Sequence, residues 1–177
     1  MADVNYVGTR LGSGHIEKVA RSILFQGWEN DMLKQFLTLT HPEVRHYYNG
    51  SNVFQEDDTA NGMYVILNGR VGIYKFDSEG IERELLHKAS PWSLGEAAVF
   101  GELKRNATVR TIESNTQLMF VHRRAIESLS AHQEVLTSFY KGLAHELYRG
   151  QSIGNARLKD ALTRESHLEE RVKKLSG

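Results

Sequence analysis

The chain has 177 residues, of which 40% are hydrophobic and 25% charged, as in an ordinary soluble protein with one domain-sized core. Lys and Arg together number 22, as do Asp and Glu, so no overall basic field favours nucleic acid or an anionic membrane as a partner. The absence of cysteine excludes disulfides, zinc–thiolate sites, iron–sulfur clusters and thiol catalysis.

The first part of the chain predicts helices and no targeting segment. Residues 1–18 lack the apolar run of a secretory signal, and no apolar run reaches the roughly 20 residues of a membrane helix. We therefore expect a cytoplasmic protein without membrane contact. Residues 15–39 carry apolar side chains at spacings of three and four, which predicts two short helices separated at Gly27 and Asn30. We expect residues 1–40 to form an N-terminal helical segment.

After Pro42 the pattern changes to short runs that are typical of β-strands. The pair Asn68-Gly69 predicts a type I′ hairpin, because that two-residue turn needs positive φ at both positions. Many short strands at near-regular spacing predict a mainly β fold with flanking helices, in which a closed or sandwiched antiparallel sheet forms a jelly roll or barrel. We place this unit, together with its first C-terminal helix, at residues 41–131. The predicted strands cover residues 44–48, 63–67, 71–76, 81–86, 107–112 and 116–122.

The C-terminal part returns to a helical pattern. Residues 123–129 and 132–148 predict two helices, and residues 158–175 keep a three-four spacing beyond Gly150 and Gly154. That last run fits a dimerising coiled coil, and it equally fits a solvated tail or a helix packed on its own barrel. We treat residues 132–177 as a C-terminal segment that carries a long helix and a coiled coil or linker.

One run between predicted strands, LGEAAVFGELKRNATV at residues 94–109, combines an acid, a base and small residues. Small residues let a backbone approach an anion with its N–H groups, and Arg105 supplies charge and planar donors for a phosphate. Ionised Glu96 only accepts hydrogen bonds, so we assign it to a sugar hydroxyl beside the phosphate. Phosphate and ribose together describe a nucleotide. The alternative is a surface ion pair between Glu96 and Arg105, worth about 0–1 kcal/mol.

This run, here called the cassette, resembles the phosphate-binding cassette of the cyclic-nucleotide-binding domain family, to which catabolite activator protein and the regulatory subunits of cAMP-dependent protein kinase belong. The family pattern F-G-E-L-A-L, a short loop and P-R-A-A-T-V is similar to residues 94–99 and 104–109. The nine-residue step from its Glu to its Arg equals the step in the kinase subunits. Upstream, residues 50–58 and 62–71 resemble the family motifs G-x-x-I-x-x-x-G-D and F-Y-V-I-x-x-G. The similarity spans residues 44–130 and implies the fold of that family, an antiparallel jelly roll (double-stranded β-helix).

The resemblance also implies roles for individual residues. Glu96 would accept a hydrogen bond from the ribose 2′-hydroxyl, and Arg105 would pair with the cyclic phosphate. The backbone N–H groups of Ala97, Ala98 and Ala107 are the expected further phosphate donors. An apolar or aromatic residue after the barrel would cap the base, for which Phe139, Tyr140 and Leu143 are candidates. The predicted ligand-binding residues are Gly95, Glu96, Ala97, Ala98, Arg105, Asn106, Ala107 and Thr108.

Several positions depart from the family pattern. Leu94, Ala97 and Lys104 stand where the pattern has Phe, Leu and Pro, and Asp57 replaces the Gly before the upstream Asp. Asn106 follows the cassette Arg, where cAMP-preferring kinase domains often have Ala and cGMP-preferring ones Thr. The base is therefore open. We favour cAMP over cGMP as the commonest ligand of the family, with a cyclic dinucleotide as the alternative.

No catalytic or output signature is evident in the sequence. It contains no HExxH, GxSxG or P-loop motif, and no helix-turn-helix with a basic recognition helix follows Tyr148. The eight histidines are scattered without a His-x-His pair, which disfavours a metal-dependent enzyme of the cupin type. We expect a sensor that is not an enzyme, needs no metal or cofactor, and relays binding to a partner, an output domain or a second copy. A ligand-free oligomerisation barrel is the alternative.

Overall fold

The computed structural model describes residues 6–101 and 104–152. Helices α1 (Ser13–Ala20) and α2 (Asn30–Thr40) confirm the two predicted N-terminal helices, and the short 3-10 helix Ile23–Phe25 lies between them. Strand β1 (Tyr6–Arg10) precedes them and pairs along its length with β2 (Glu43–Tyr47). The sequence did not predict β1, because its mostly exposed residues carry no alternating apolar pattern.

The remaining strands form two facing sheets. The first has the order β1-β2-β9-β4-β7 and the second the order β3-β8-β5-β6, and the pairings between these strands are antiparallel. This arrangement with helices at both ends confirms the predicted antiparallel jelly roll. The strands after β2 are β3 (Asn52–Phe54), β4 (Gly62–Asn68), β5 (Arg70–Phe76), β6 (Glu82–Ala89), β7 (Ser93–Leu94), β8 (Thr108–Thr111) and β9 (Thr116–His122).

The predicted hairpin at Asn68-Gly69 is wrong. Strands β4 and β5 lie in different sheets, and positive φ occurs at Gly69 but not at Asn68. Six of the seven residues of β4 are buried, so this strand lies between β9 and β7 with its two faces covered. The chain crosses to the second sheet at Gly69, where a Cβ would crowd Thr116. The turn at residues 77–80 is a true hairpin, since Phe76 pairs with Glu82.

Alternation along β4 divides the buried side chains into two clusters. Tyr64 and Ile66 point into the barrel, where the cluster includes Phe54, Leu94 and Phe120. The intervening residues point to the opposite face of the sheet and pack against the helices. That helical core includes Phe25, Phe36, Met63, Val65, Leu67, Met119, Val121, Leu129, Phe139 and Leu143.

The C-terminal helices begin where β9 ends. Helix α3 (Arg123–Ser128) continues into the 3-10 helix Leu129–Ala131, and α4 is described from residue 133 to residue 152. These confirm the predicted helices at 123–129 and 132–148. The chain divides into two compact units, Met1–Leu143 and Ala144–Gly177. The predicted segment boundaries at residues 40 and 131 stay a prediction, and the predicted coiled coil at 158–175 lies outside the described residues.

Within the described part of the chain, the helices are too short or too polar to cross a lipid bilayer.

Candidate functional site

The cassette begins at a glycine that the local geometry requires. Gly95 follows β7 with a φ of 70°, a left-handed conformation, and the 3-10 helix Glu96–Phe100 starts at the next residue. A Cβ on Gly95 would collide with the guanidinium of Arg105. Backbone conformation and close packing therefore both select Gly at this position, because it has no side chain.

Arg105 is buried and held by backbone carbonyls. Its residue surface is only 5% exposed, and it donates to the oxygens of Gly62 at 2.8 Å and Gly95 at 3.3 Å. Within the described residues, its buried Nε–H has no acceptor. A buried donor without a partner costs about 1–3 kcal/mol. Arg105 thus carries one strong donor that its protein neighbours leave unused.

Aromatic rings fix the guanidinium from the barrel interior. The Phe54 ring lies 4.2 Å from the Arg105 guanidinium carbon and stacks on Tyr64 with centroids 5.8 Å apart. Arg45 on β2 donates to the Tyr64 hydroxyl at 3.0 Å and to the Glu43 carboxylate at 2.8 Å. The ring contacts restrict where the Arg105 side chain can lie.

The charge of Arg105 persists despite its burial. Burial lowers the pKa of the guanidinium, whereas Tyr64, Asp58 and Glu96 act in the opposite direction and nearby Arg45 lowers the pKa further. Because the ordinary pKa of arginine lies far above neutral, the group remains a cation at neutral pH. The site therefore presents a positive charge in a largely apolar setting, where electrostatic attraction is stronger than in water.

The loop upstream of β4 holds the backbone of Arg105. The backbone N–H of Arg105 donates to the Asp58 carbonyl, and the Arg105 carbonyl accepts from the Asp57 N–H, both at 2.9 Å. Asp57 has a φ of 67°. This left-handed conformation explains why the family motif has Gly at this position, and Asp tolerates it better than most other residues. The departure from the motif therefore preserves the loop that positions Arg105.

Glu96 is paired with Lys88, not with Arg105. Its Oε1 accepts from the Ser93 hydroxyl at 2.9 Å and lies 3.3 Å from the Lys88 ammonium. The Lys88 ammonium also donates to the Ser93 carbonyl at 2.9 Å. The alternative of a surface ion pair between Glu96 and Arg105 is wrong, since Glu96 is largely buried and its ion pair is with Lys88.

The small residues of the cassette have different surroundings. Ala98 is buried and its N–H donates to the Gly95 carbonyl, so the expectation that this N–H faces an anion is wrong in this structure. A 3-10 helix uses its N–H groups one residue earlier than an α-helix does, which accounts for the difference. Ala97 is half-buried and Ala107 is buried.

Two polar residues follow Arg105. Asn106 is exposed, so it is free to meet a ligand at the surface. Thr108 is buried, and its hydroxyl accepts from the backbone N–H of Glu56 at 3.0 Å. The structure thus gives Thr108 a part in holding β8 against the upstream loop.

The three candidates for the base-capping residue differ in burial. Phe139 and Leu143 are fully buried in the helical core, where Phe139 stacks on Phe36 with centroids 5.4 Å apart. Side chains that fill this core cannot also cover a base without unpacking it. Tyr140 is 38% exposed, and its ring lies 6.1 Å from that of Phe100 at the end of the cassette helix. Tyr140 is therefore the candidate that is both partly exposed and in contact with the cassette helix.

Sequence reasoning did not identify the groups that surround Glu96 and Arg105. Lys88, Ser93 and the Phe54 and Tyr64 rings come from four different strands, and their proximity depends on strand pairing. One local signal was available for Lys88, because a cation in a strand next to a cassette glutamate is a natural ion-pair partner. The carbonyls of Gly62 and Gly95 carry no sequence signal, since every residue has one.

A separate cavity of about 600 Å³ lies near the N-terminal helices. Its lining includes the basic residues Arg10, Lys34 and His41 and the apolar Leu37 and Pro42. The cassette contains the buried donor of Arg105 and the oriented carboxylate of Glu96. The residues that line the separate cavity include no carboxylate to pair with a buried arginine. We therefore assign the functional site to the cassette.

Comparisons with known proteins concern the family and the fold of the chain. Residues 44–133 match the family model described as cyclic nucleotide-binding domain. No curated protein matches the chain. Among solved structures, a cyclic nucleotide-binding domain from Methylobacillus flagellatus KT is similar with a TM-score of 0.77 at 15% identity, and the match covers 86% of this chain and 87% of that one.

Two further structures show the same fold over part of their length. The Thermus thermophilus catabolite activator protein is 22% identical with a TM-score of 0.63, and the match covers 78% of this chain and 63% of that one. The regulatory domain of Toxoplasma gondii protein kinase A, solved with cAMP, is 20% identical with a TM-score of 0.57. That match covers 67% of this chain and 45% of the regulatory domain's chain.

Proposed function

The chain belongs to the cyclic nucleotide-binding domain family, and we propose that it is a non-catalytic sensor that binds a cyclic nucleotide at the cassette, cAMP in preference to cGMP. The observation that carries the proposal is the buried Nε–H of Arg105, which has no acceptor within the described residues. A cyclic phosphate oxygen supplies that acceptor together with the opposite charge. Such charge-assisted hydrogen bonds contribute about 1.5–3 kcal/mol each.

Glu96 supplies the second recognition element. Both of its described hydrogen bonds are made by Oε1, so Oε2 is the oxygen that would accept from the ribose 2′-hydroxyl. The two roles divide one ligand between them, with phosphate at Arg105 and ribose at Glu96. Exposed Asn106, which can both donate and accept, would then lie where a purine edge is read.

Calorimetric titration of the chain with cAMP, cGMP and cyclic di-GMP tests this proposal. We expect one cAMP to bind per chain, with an affinity at least about threefold above that for cGMP, or about 0.6 kcal/mol. The highest affinity for cyclic di-GMP would identify a dinucleotide sensor instead. Absence of binding to all three ligands would favour the ligand-free barrel.

We propose that the cassette relays binding to helix α4. The Arg105 Nε–H is buried and Gly95 lies against the guanidinium, so a phosphate reaches this donor only when the cassette shifts. The cassette helix is attached to the helices at two points: Val99 packs on the core that contains Phe139, and Phe100 contacts Tyr140. A ligand that stabilises a shifted cassette would change the packing of α4 through these residues.

Hydrogen exchange across residues 133–143 with and without cAMP measures this relay. We expect cAMP to change the protection of these amides, and Phe100→Ala to reduce the change by about half or more while cAMP affinity stays within about threefold. Phe100 is 58% exposed, so its truncation should leave the fold intact. Phe76→Ala, another exposed phenylalanine, at the start of the residue 77–80 turn, is the matched control. Unchanged protection in the parent chain would rule out a relay through α4.

The output of the sensor stays a prediction. A homodimer through the C-terminal helix, a partner protein and an output domain are each compatible with the helices that follow the barrel. The predicted coiled coil lies outside the described residues and adds no support. Cytoplasmic location is likewise a prediction from the sequence.

A further inference from the structure

A second cation lies beside Glu96 and has no role in the recognition scheme above. Lys88 is on β6 directly opposite Val71, which is buried in the barrel interior, so the Lys88 side chain is on the interior face. Only 25% of that side chain is exposed. Its ammonium lies between Ser93, Glu96 and the Trp92 ring, whose centroid is 5.7 Å away.

The contacts of Lys88 determine how Glu96 is presented. The Lys88 ammonium and the Ser93 hydroxyl both contact Oε1, so that Oε2 takes no part in either of these two contacts. A lysine ammonium has three N–H donors, of which the Ser93 carbonyl and Glu96 use two. Among the described residues the third donor has no further acceptor, and we take it as available to an oxygen of a bound molecule.

Electrostatics give Lys88 a further effect on an anionic ligand. A bare carboxylate near a phosphate repels it, and the repulsion is stronger in a half-buried site than in water. Lys88 lies 3.3 Å from Glu96 and offsets that charge. With the Lys88–Glu96 pair neutral, the positive charge of Arg105 acts on the ligand unopposed by the carboxylate.

We propose that Lys88 is a ligand-binding and positioning residue, which holds Glu96 for the ribose hydroxyl and lets a carboxylate and a phosphate share one site. The proposal rests on the proposed function and specifies its ligand class as an anionic sugar phosphate with a free hydroxyl. A neutral nucleoside leaves Arg105 without an anionic partner and is the ligand that this site disfavours.

The competing explanation is that Lys88 only ties β6 to β7 through the Ser93 carbonyl. Lys88→Gln keeps an N–H donor and removes the charge, whereas Lys88→Arg keeps the charge. Arg83→Gln is the matched control, because Arg83 is on the same strand and pairs with Asp77 beside the residue 77–80 turn. A purely structural role predicts that the three variants differ in stability and not in ligand preference.

Calorimetric titration with cAMP and 2′-deoxy-cAMP separates these explanations. We expect K88Q to lower cAMP affinity by about tenfold and the preference for cAMP over 2′-deoxy-cAMP by about threefold. K88R should stay within about threefold of the parent chain in both quantities, and R83Q should equal the parent. Footprinting of lysines by acetylation and mass spectrometry tests the parent chain itself. Saturating cAMP should protect Lys88 and leave Lys75, which pairs with Glu56, unchanged.

Each contrary result has a separate meaning. A K88Q variant that binds cAMP as the parent does would overturn the role of Lys88 and leave the proposed function intact. Equal losses for both ligands in K88Q would overturn the positioning of Glu96. Unchanged acetylation of Lys88 in the presence of bound cAMP would overturn the ligand contact without reference to any variant. A parent chain that binds no cyclic nucleotide would overturn the proposed function, and this proposal with it.

Discussion

Replacing Arg105 with Met is expected to weaken cAMP binding at least about 100-fold, because the phosphate loses a full charge and a charge-assisted donor worth about 1.5–3 kcal/mol. The side chain is otherwise similar in length, and Phe54 remains available as a packing partner. The carbonyls of Gly62 and Gly95 lose their donors, which should also lower the free energy of unfolding by about 1–3 kcal/mol each when they stay buried. Calorimetry and thermal unfolding measure the two effects separately.

Two further variants place the effect at the cassette. Arg105→Lys keeps the charge but loses the planar fork, so we expect an intermediate loss of about tenfold. Arg110→Met is the matched control, since Arg110 lies five residues further along the chain in β8 and pairs with Glu82 and the Tyr74 ring instead. We expect it to bind cAMP as the parent does. If R105M binds cAMP as tightly as the parent while folded, the phosphate assignment is wrong.

Glu96→Gln is expected to remove most of the preference for ribose over deoxyribose. A neutral amide oxygen is a weaker acceptor than a carboxylate, so cAMP affinity should fall by about tenfold and 2′-deoxy-cAMP affinity should change little. Glu113→Gln removes a comparable carboxylate that pairs with Arg70, and serves as the control. Titration of both variants with both ligands measures the preference. A preference that survives in E96Q would place the hydroxyl contact elsewhere.

The sequence predicted the architecture and the chain position of the cassette because both depend on local patterns. Strand alternation, helical periodicity and the Glu96–Arg105 spacing each extend over few residues. The Asn68-Gly69 hairpin failed because a turn signal reports that one residue takes positive φ and does not report which sheet receives the next strand. The sheet that receives the next strand depends on how β4 is buried between its neighbours, and burial depends on contacts that are distant in sequence.

The contacts of the site residues were less predictable for the same reason. The pairing of Lys88 with Glu96 depends on β6 and β7, and the carbonyls that hold Arg105 come from the ends of two other segments. The base-capping candidates show the limit of helical periodicity. Phe139 and Leu143 are four residues apart and share the buried face, whereas Tyr140 is rotated by about 100° and is partly exposed.

The Arg105 Nε–H resonance in the proton–nitrogen NMR spectrum is the most direct test of the central claim that the cyclic phosphate accepts from this donor. The resonance is assigned by its absence from the R105M spectrum. On addition of cAMP, we expect a downfield shift of this proton that saturates at one ligand per chain, because the hydrogen bond to a phosphate oxygen is charge-assisted. An Arg105 Nε–H resonance that does not move while cAMP binds and shifts other signals would contradict the account.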